Sequence, residues 1–190
     1  MSPPMFSQAF HRDGRRAGAN CVSFFALAIL LTALALGNGR GVAAQEKSTA
    51  TLTISGDVEK PLTITLADLK KMPSRTVRVF DMHNKKTETF EGVPLIELLK
   101  EAGVPSGERM RGGAVATYVE ATASDGYRVI YALPELDPGF QDSNVIVAYA
   151  MDGAPLGAGD GPLRLVAPLD KRPARWIRML VSIKVVRVHD

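Results

Sequence analysis

Twice in its C-terminal half the chain sets an Asp-Gly pair between two β-rich runs. Asp125-Gly126 divides VATYVEATASDGYRVIYAL, and Asp152-Gly153 divides NVIVAYAMDGAPL. Asp-Gly accepts the left-handed backbone of a tight hairpin, so each pair predicts two antiparallel neighbours. Nothing else in the sequence constrains the fold as much, because a hairpin fixes both strand direction and the residues that share a face. TLTISG (Thr51 to Gly56), RTVRVF (Arg75 to Phe80), TETFEG, PLRLVAP and VSIKVVRV supply further strands. Helical signals are fewer. Thr65 can cap a short helix with Asp68 three residues on, and Pro73 stops it. In GVPLIELLKEAGV, Pro94 suits the first helical position and Gly103 the C-terminal cap. Between them Leu95, Leu98, Leu99 and Ala102 form one apolar stripe. Seven or eight strands with two short helices, without βαβ alternation, predict an α+β fold with a mixed, mainly antiparallel sheet.

Residues 1–44 read as an export signal. Arg12, Arg15 and Arg16 make a basic region, Val22 to Leu36 an apolar one too short to span a bilayer comfortably, and GVAA a cleavage site. The mature chain, residues 45–190, is then one domain of 146 residues in the periplasm, with no stable membrane anchor. Removing the leader takes away four basic residues and one acidic, which leaves 19 of each sign. A neutral chain has no global field to attract phosphates, so a nucleic-acid partner is not expected. Cys21, the only cysteine, leaves with the leader, so the mature protein can form no disulfide and offer no thiolate.

The segment GPLRLVAPLDKRPARWIRML combines packing with charge. Leu163, Leu165 and Val166 are available to a core, and Pro168 ends the strand. Lys171, Arg172, Arg175 and Arg178 then cluster around Trp176, the only tryptophan. Guanidinium forks suit a phosphate or a smaller oxyanion, and four cations in eight residues repel unless something neutralises them. Trp176 reads first as a plug at the core edge, while for Lys171, Arg172, Arg175 and Arg178 an anion-binding role is expected ahead of pairing with Asp170 or surface carboxylates, so the first half of the stretch packs and the second half faces an anion. His83 stands in DMHNKK, a polar turn in which Asp81 and His83 share one side of an extended strand. Two ligands alone do not make a metal site, so a solvent-exposed turn histidine is expected. His189 belongs to the tail.

Four stretches in order, SGDVEKPLTITLADLKKMP, FEGVPLIELLKEAGV, ASDGYRVIYALPEL and VAYAMDGAPLGAGDGPLRLVAPLDKRPARWIRMLVSIKV, resemble the oxidoreductase molybdopterin-binding domain of the sulfite oxidase type. The resemblance spans essentially the whole mature chain and is in particular to small exported single-domain members, which lack the haem and dimerisation domains of full sulfite oxidases. It implies an α+β domain with a sheet-built pocket for the pterin cofactor. It also implies that Asn84, Arg164, Lys171, Arg172, Arg175, Trp176 and Arg178 lie near that pocket. Full sulfite oxidases follow the strand corresponding to RTVRVF with a Cys-Ala-Gly-Asn-Arg-Arg type run whose thiolate binds molybdenum. Here the run is Asp81-Met82-His83-Asn84-Lys85-Lys86, which keeps the asparagine and the basic pair and replaces the cysteine by Asp81. Counting back from EGVPL places Phe80 there instead, so neither count gives a sulfur.

A carboxylate is a harder ligand than a thiolate and would tune molybdenum differently. The resulting expectation is a divergent or non-catalytic exported domain with no bound cofactor, holding a small anionic ligand or an envelope protein partner. The alternative is a working molybdopterin oxidoreductase with Asp81 as metal ligand. A purely structural envelope protein has no specific support. Cofactor-loaded relatives leave the cytoplasm folded by the twin-arginine route, but GRRAGAN lacks the hydrophobic residues that usually follow Arg15-Arg16. Ordinary secretion fits better and favours the cofactor-free form.

Overall fold

The computed structural model describes residues 50–82 and 85–188. The leader read over residues 1–44 lies outside them, as do His83, Asn84 and His189. Among the described residues no helix is long and apolar enough to cross a membrane.

The chain runs β1 (Thr51–Gly56), β2 (Leu62–Thr65), α1 (Leu66–Leu69), β3 (Arg75–Asp81), β4 (Lys86–Pro94) and α2 (Leu95–Glu101). It continues with β5 (Thr117–Ala123), β6 (Arg128–Ala132), α3 (Leu133–Leu136), β7 (Ile146–Met151), β8 (Ala154–Pro155), β9 (Arg164–Val166) and β10 (Leu180–Arg187). Two sheets form. The first has the order β2-β1-β10-β5-β6, and the second runs β3-β4-β7, with β8 and β9 both paired to β7. Every pairing is antiparallel except that of β1 with β10. The fold is therefore the mixed, mainly antiparallel α+β arrangement expected. The additions to that expectation are β2 and α3, four residues each, too short for any periodicity to show.

Both Asp-Gly pairs turn hairpins, by different geometries. Asp152 and Gly153 both take positive φ (51° and 80°), which is the two-residue type I′ turn. At the other hairpin only Gly126 is left-handed (φ 85°), and the Asp125 carboxylate accepts from the Tyr127 amide at 2.9 Å. The capping box of α1 is complete, since Asp68 N donates to Thr65 Oγ1 (3.1 Å) and Thr65 N to the Asp68 carboxylate (3.3 Å). Pro94 closes β4 and stands one position ahead of α2 rather than inside it. At the other end of α2, the Val104 amide reaches Leu99 O (2.9 Å) and that of Gly103 reaches Lys100 O (2.9 Å), a Schellman closure around left-handed Gly103.

The main core gathers Leu52 and Ile54 of β1, Val119 and Ala121 of β5, Ile183 and Val185 of β10, and the α2 stripe. Leu95, Leu98, Leu99 and Ala102 are all fully buried, as the stripe predicts. A second apolar cluster lies on the other side of the second sheet: Val77 and Val79 of β3, Phe90 of β4, Ile146 and Ala148 of β7, and Val166 of β9. Strand β7 feeds both, with Val147 and Tyr149 in the main core and Ile146 and Ala148 in the second. A strand buried on both faces must be apolar at successive positions, which is why IVAYAM does not alternate. Arg164 and Trp176, two of the expected site residues, pack against this second group.

Candidate functional site

Strand β9 sends Leu165 into the main core, so its neighbour Arg164 falls on the opposite face, beside Phe90. The guanidinium carbon lies 5.2 Å from the Phe90 ring centroid and 5.8 Å from that of Trp176. Its Nη1 donates to Asp160 Oδ1 at 2.9 Å. Its Nε is buried without a hydrogen-bond partner. Burial is the main cause that lowers the Arg164 pKa, opposed chiefly by the charge of Asp160 and then Glu88, while Arg178 adds to the lowering. A largely desolvated cation that keeps one donor unsatisfied is a costly arrangement, and an anion would relieve it.

Trp176 follows a single 3-10 turn at Pro173–Arg175. Its Nε1 donates to Ala167 O at 2.8 Å, and its ring meets Phe90 edge-on, centroids 6.3 Å apart at 81°. It packs against both apolar clusters, so the expected plug at the core edge is what the structure shows. It also lines two cavities. The larger, about 500 Å³, is lined by Asp125, Tyr127, Gly159, Arg164, Trp176 and Arg178 among others. The smaller, about 220 Å³, shares Arg164 and Trp176 and adds Phe80, Asp81, Glu88, Asp170 and Lys171. Glu88 is buried on β4, opposite Val79, and Lys86 Nζ sits 3.1 Å from its Oε1. That hydrogen bond is the first cause raising the Lys86 pKa.

The four cations of the basic segment do not converge. Arg178 lines the larger cavity and Lys171 the smaller, while Arg172 is exposed and lines neither. Arg175 turns the other way, and this corrects the expectation of a four-cation anion site. Its Nε and Nη2 grip the two Asp170 oxygens at 2.9 and 2.7 Å, and its Nη1 meets Glu135 Oε1 at 3.0 Å. The fork lies 4.4 Å from the Tyr131 ring centroid, and the Asp170 hydrogen bond is the first cause raising the Arg175 pKa. The charge of Arg175, one of the four, is thus neutralised from inside the protein. Asp81 ends β3 paired with Lys86 rather than starting a free turn, and it borders the smaller cavity. Asn84 lies outside the described residues. Two residues that sequence reasoning missed, Asp160 and Glu88, supply the carboxylate charges that act most strongly on Arg164. Strand alternation could have flagged Glu88, which falls in phase with Phe90 in TETFEG.

The chain is thus a two-sheet α+β domain whose larger cavity is walled by guanidinium and indole groups. The chain belongs to the oxidoreductase molybdopterin binding domain family, whose model matches residues 40–189. No curated protein matches the sequence. Among solved structures it is similar to the sulfane dehydrogenase SoxCD from Paracoccus pantotrophus, with TM-score 0.57 and 22% identity. That match covers 72% of this chain and 38% of the other, so the chain spans well under half the neighbour's length and the likeness establishes the fold.

Whether these residues fit a molybdenum centre follows from the donors they present. Residues 45–190 hold no cysteine, and among the described residues no three His, Cys, Asp or Glu side chains gather as a metal-ligand set. The soft thiolate that the sulfite oxidase resemblance implies for molybdenum is missing from residues 45–190, so their donor set does not fit a thiolate-ligated metal. The Arg164, Trp176 and Arg178 lining does fit an anion that carries a flat organic part.

Proposed function

We propose that this is an exported periplasmic domain of the sulfite oxidase fold, divergent from the redox members, that binds a small anionic ligand in the Arg164, Trp176 and Arg178 cavity. The observation that carries the reading is the state of Arg164. It is a mostly buried cation with an unpartnered Nε, set on the wall of a cavity of organic-ligand size. Proteins leave few buried donors unsatisfied, and those that remain call for an explanation. Arg178 adds a second cation on the same cavity, and Trp176 and Tyr127 give it flat walls.

A second reading keeps the family's redox chemistry and makes Asp81 the metal ligand. Its support is that Asp81 borders the smaller cavity, which meets the larger one at Arg164 and Trp176. Metal analysis separates the two. Mature protein purified from its native exporter should contain molybdenum well below one atom per chain, because no thiolate is present to hold it. Native mass spectrometry showing close to one molybdenum per chain would overturn the first reading and promote Asp81.

A further inference from the structure

We propose that Asp160 sets the charge of the ligand, so that the larger cavity admits singly charged organic anions and turns away doubly charged ones. This rests on the anion-binding reading above. Asp160 is not a loose neighbour of Arg164. Its amide donates to Gly157 O (3.0 Å) and its carbonyl accepts from the Met179 amide (3.1 Å), which fixes the backbone on both sides of the carboxylate. The carboxylate then holds Arg164 Nη1 at 2.9 Å, with only 31% of the Asp160 side chain and 14% of the Arg164 side chain accessible. A fixed negative charge in a poorly solvated place acts strongly on whatever enters beside it.

The charges around the cavity balance. Arg164 and Arg178 line it, and so does Asp125, while Asp160 neutralises Arg164 from behind. A single negative charge meets two cations whose field is already partly cancelled. A second negative charge on the same group meets the Asp160 and Asp125 carboxylates without a further cation to offset it. The floor favours a ligand with bulk as well as charge. Gly159, next to Asp160, lines the cavity, has no left-handed φ to demand glycine, and a Cβ built there would meet nothing within 4 Å. Neither backbone strain nor packing requires this glycine, whereas close approach of a ligand would. Size agrees, since about 500 Å³ is the scale of an organic ligand rather than of one tetrahedral oxyanion.

Two probes with the same ring test the idea at pH 8 and matched ionic strength. 1-Naphthalenesulfonate carries one negative charge, and 1-naphthyl phosphate carries close to two there. The mature protein should bind the sulfonate at least about tenfold more tightly, an effect of the size expected from one extra unbalanced charge in a partly wet site. Asp160→Asn, which removes the charge and keeps an acceptor, should gain at least about tenfold for the phosphate, gain less for the sulfonate, and so narrow the preference. Arg178→Ala should lose both. A wild-type protein that binds the two probes equally, or prefers the phosphate, overturns the proposal without reference to any variant. So does an Asp160→Asn protein, folded by circular dichroism, whose preference is unchanged while Arg178→Ala still abolishes binding; the anion-binding reading then survives. Saturable binding of neither probe to the wild type removes that reading and the proposal together.

Discussion

At the scale of single residues, the basic segment shows how a charge can be used up within the fold. Arg175 engages two carboxylates with all three arms of its fork and lies over the Tyr131 ring. The Tyr131 hydroxyl in turn donates to Arg175 O at 2.6 Å, so one residue is held by both its backbone and its side chain. Burial raises the Tyr131 pKa, with the charge of Arg175 opposing, which keeps the phenol neutral and donating. Arg164, by contrast, has one carboxylate and a spare donor. These roles predict opposite phenotypes. Arg175→Ala should lower stability by about 1–3 kcal/mol, the usual cost of losing hydrogen bonds to charged groups. It should leave 1-naphthalenesulfonate affinity unchanged. Arg175→Lys should recover only part of the loss, because an ammonium cannot grip Asp170 with two parallel bonds. A urea titration alongside calorimetric binding checks both halves. Lost affinity with an unchanged urea midpoint would move Arg175 back into the ligand site.

At the scale of elements, stability rests on faces that local sequence dictates. Leu98 and Leu99 of α2 are fully buried in the main core, and the helix has both a clean start after Pro94 and a Schellman stop at Gly103. Replacing either leucine by Ala should cost about 2–5 kcal/mol, the range for buried leucines whose sites collapse incompletely. An unchanged urea midpoint in both variants would show the stripe to be dispensable. The same elements show what a sequence discloses. The α2 stripe, the α1 capping box and both hairpins depend on residues within a few positions of each other, and all were legible. The pairing of β1 with β10 joins residues at opposite ends of the domain, and no local pattern announces it. The site divides along the same line. Trp176 as a core plug could be read, whereas Asp170 as the partner of Arg175 was within reach, five residues away, but the density of cations argued for an external anion instead. Glu135, 40 residues from Arg175, could not be read. Asp160 escaped notice because a carboxylate in a glycine-rich loop looks like ordinary turn chemistry until β9 places Arg164 against it.

At the scale of the whole molecule, the last strand closes the fold. β10 lies in the middle of the first sheet, parallel to β1 and antiparallel to β5. Without it the sheet divides into the β1–β2 and β5–β6 pairs, and isolated two-stranded pairs are marginal in water. The strand also buries Leu180, Ile183 and Val185. Each such side chain contributes about 1.5–3 kcal/mol on burial. Three of them supply about 5–9 kcal/mol, against a total stability of about 5–15 kcal/mol for an ordinary domain. Removing residues 180–190 should therefore abolish cooperative unfolding rather than merely shift its midpoint. The second sheet shares the main core through β7, so it should not survive as a separate folded unit. Because β1 finds its parallel partner only at the far end of the chain, the first sheet also completes late, and non-local pairing of this kind slows folding. Ile183→Asp provides a full-length counterpart, placing an unpaired charge where the strand is fully buried. Far-UV circular dichroism through a urea titration reads all of this. A truncated chain that keeps a sigmoidal transition at the wild-type midpoint would show that β10 decorates the sheet, whereas a featureless decline in both proteins would place the closure of the domain in its final strand.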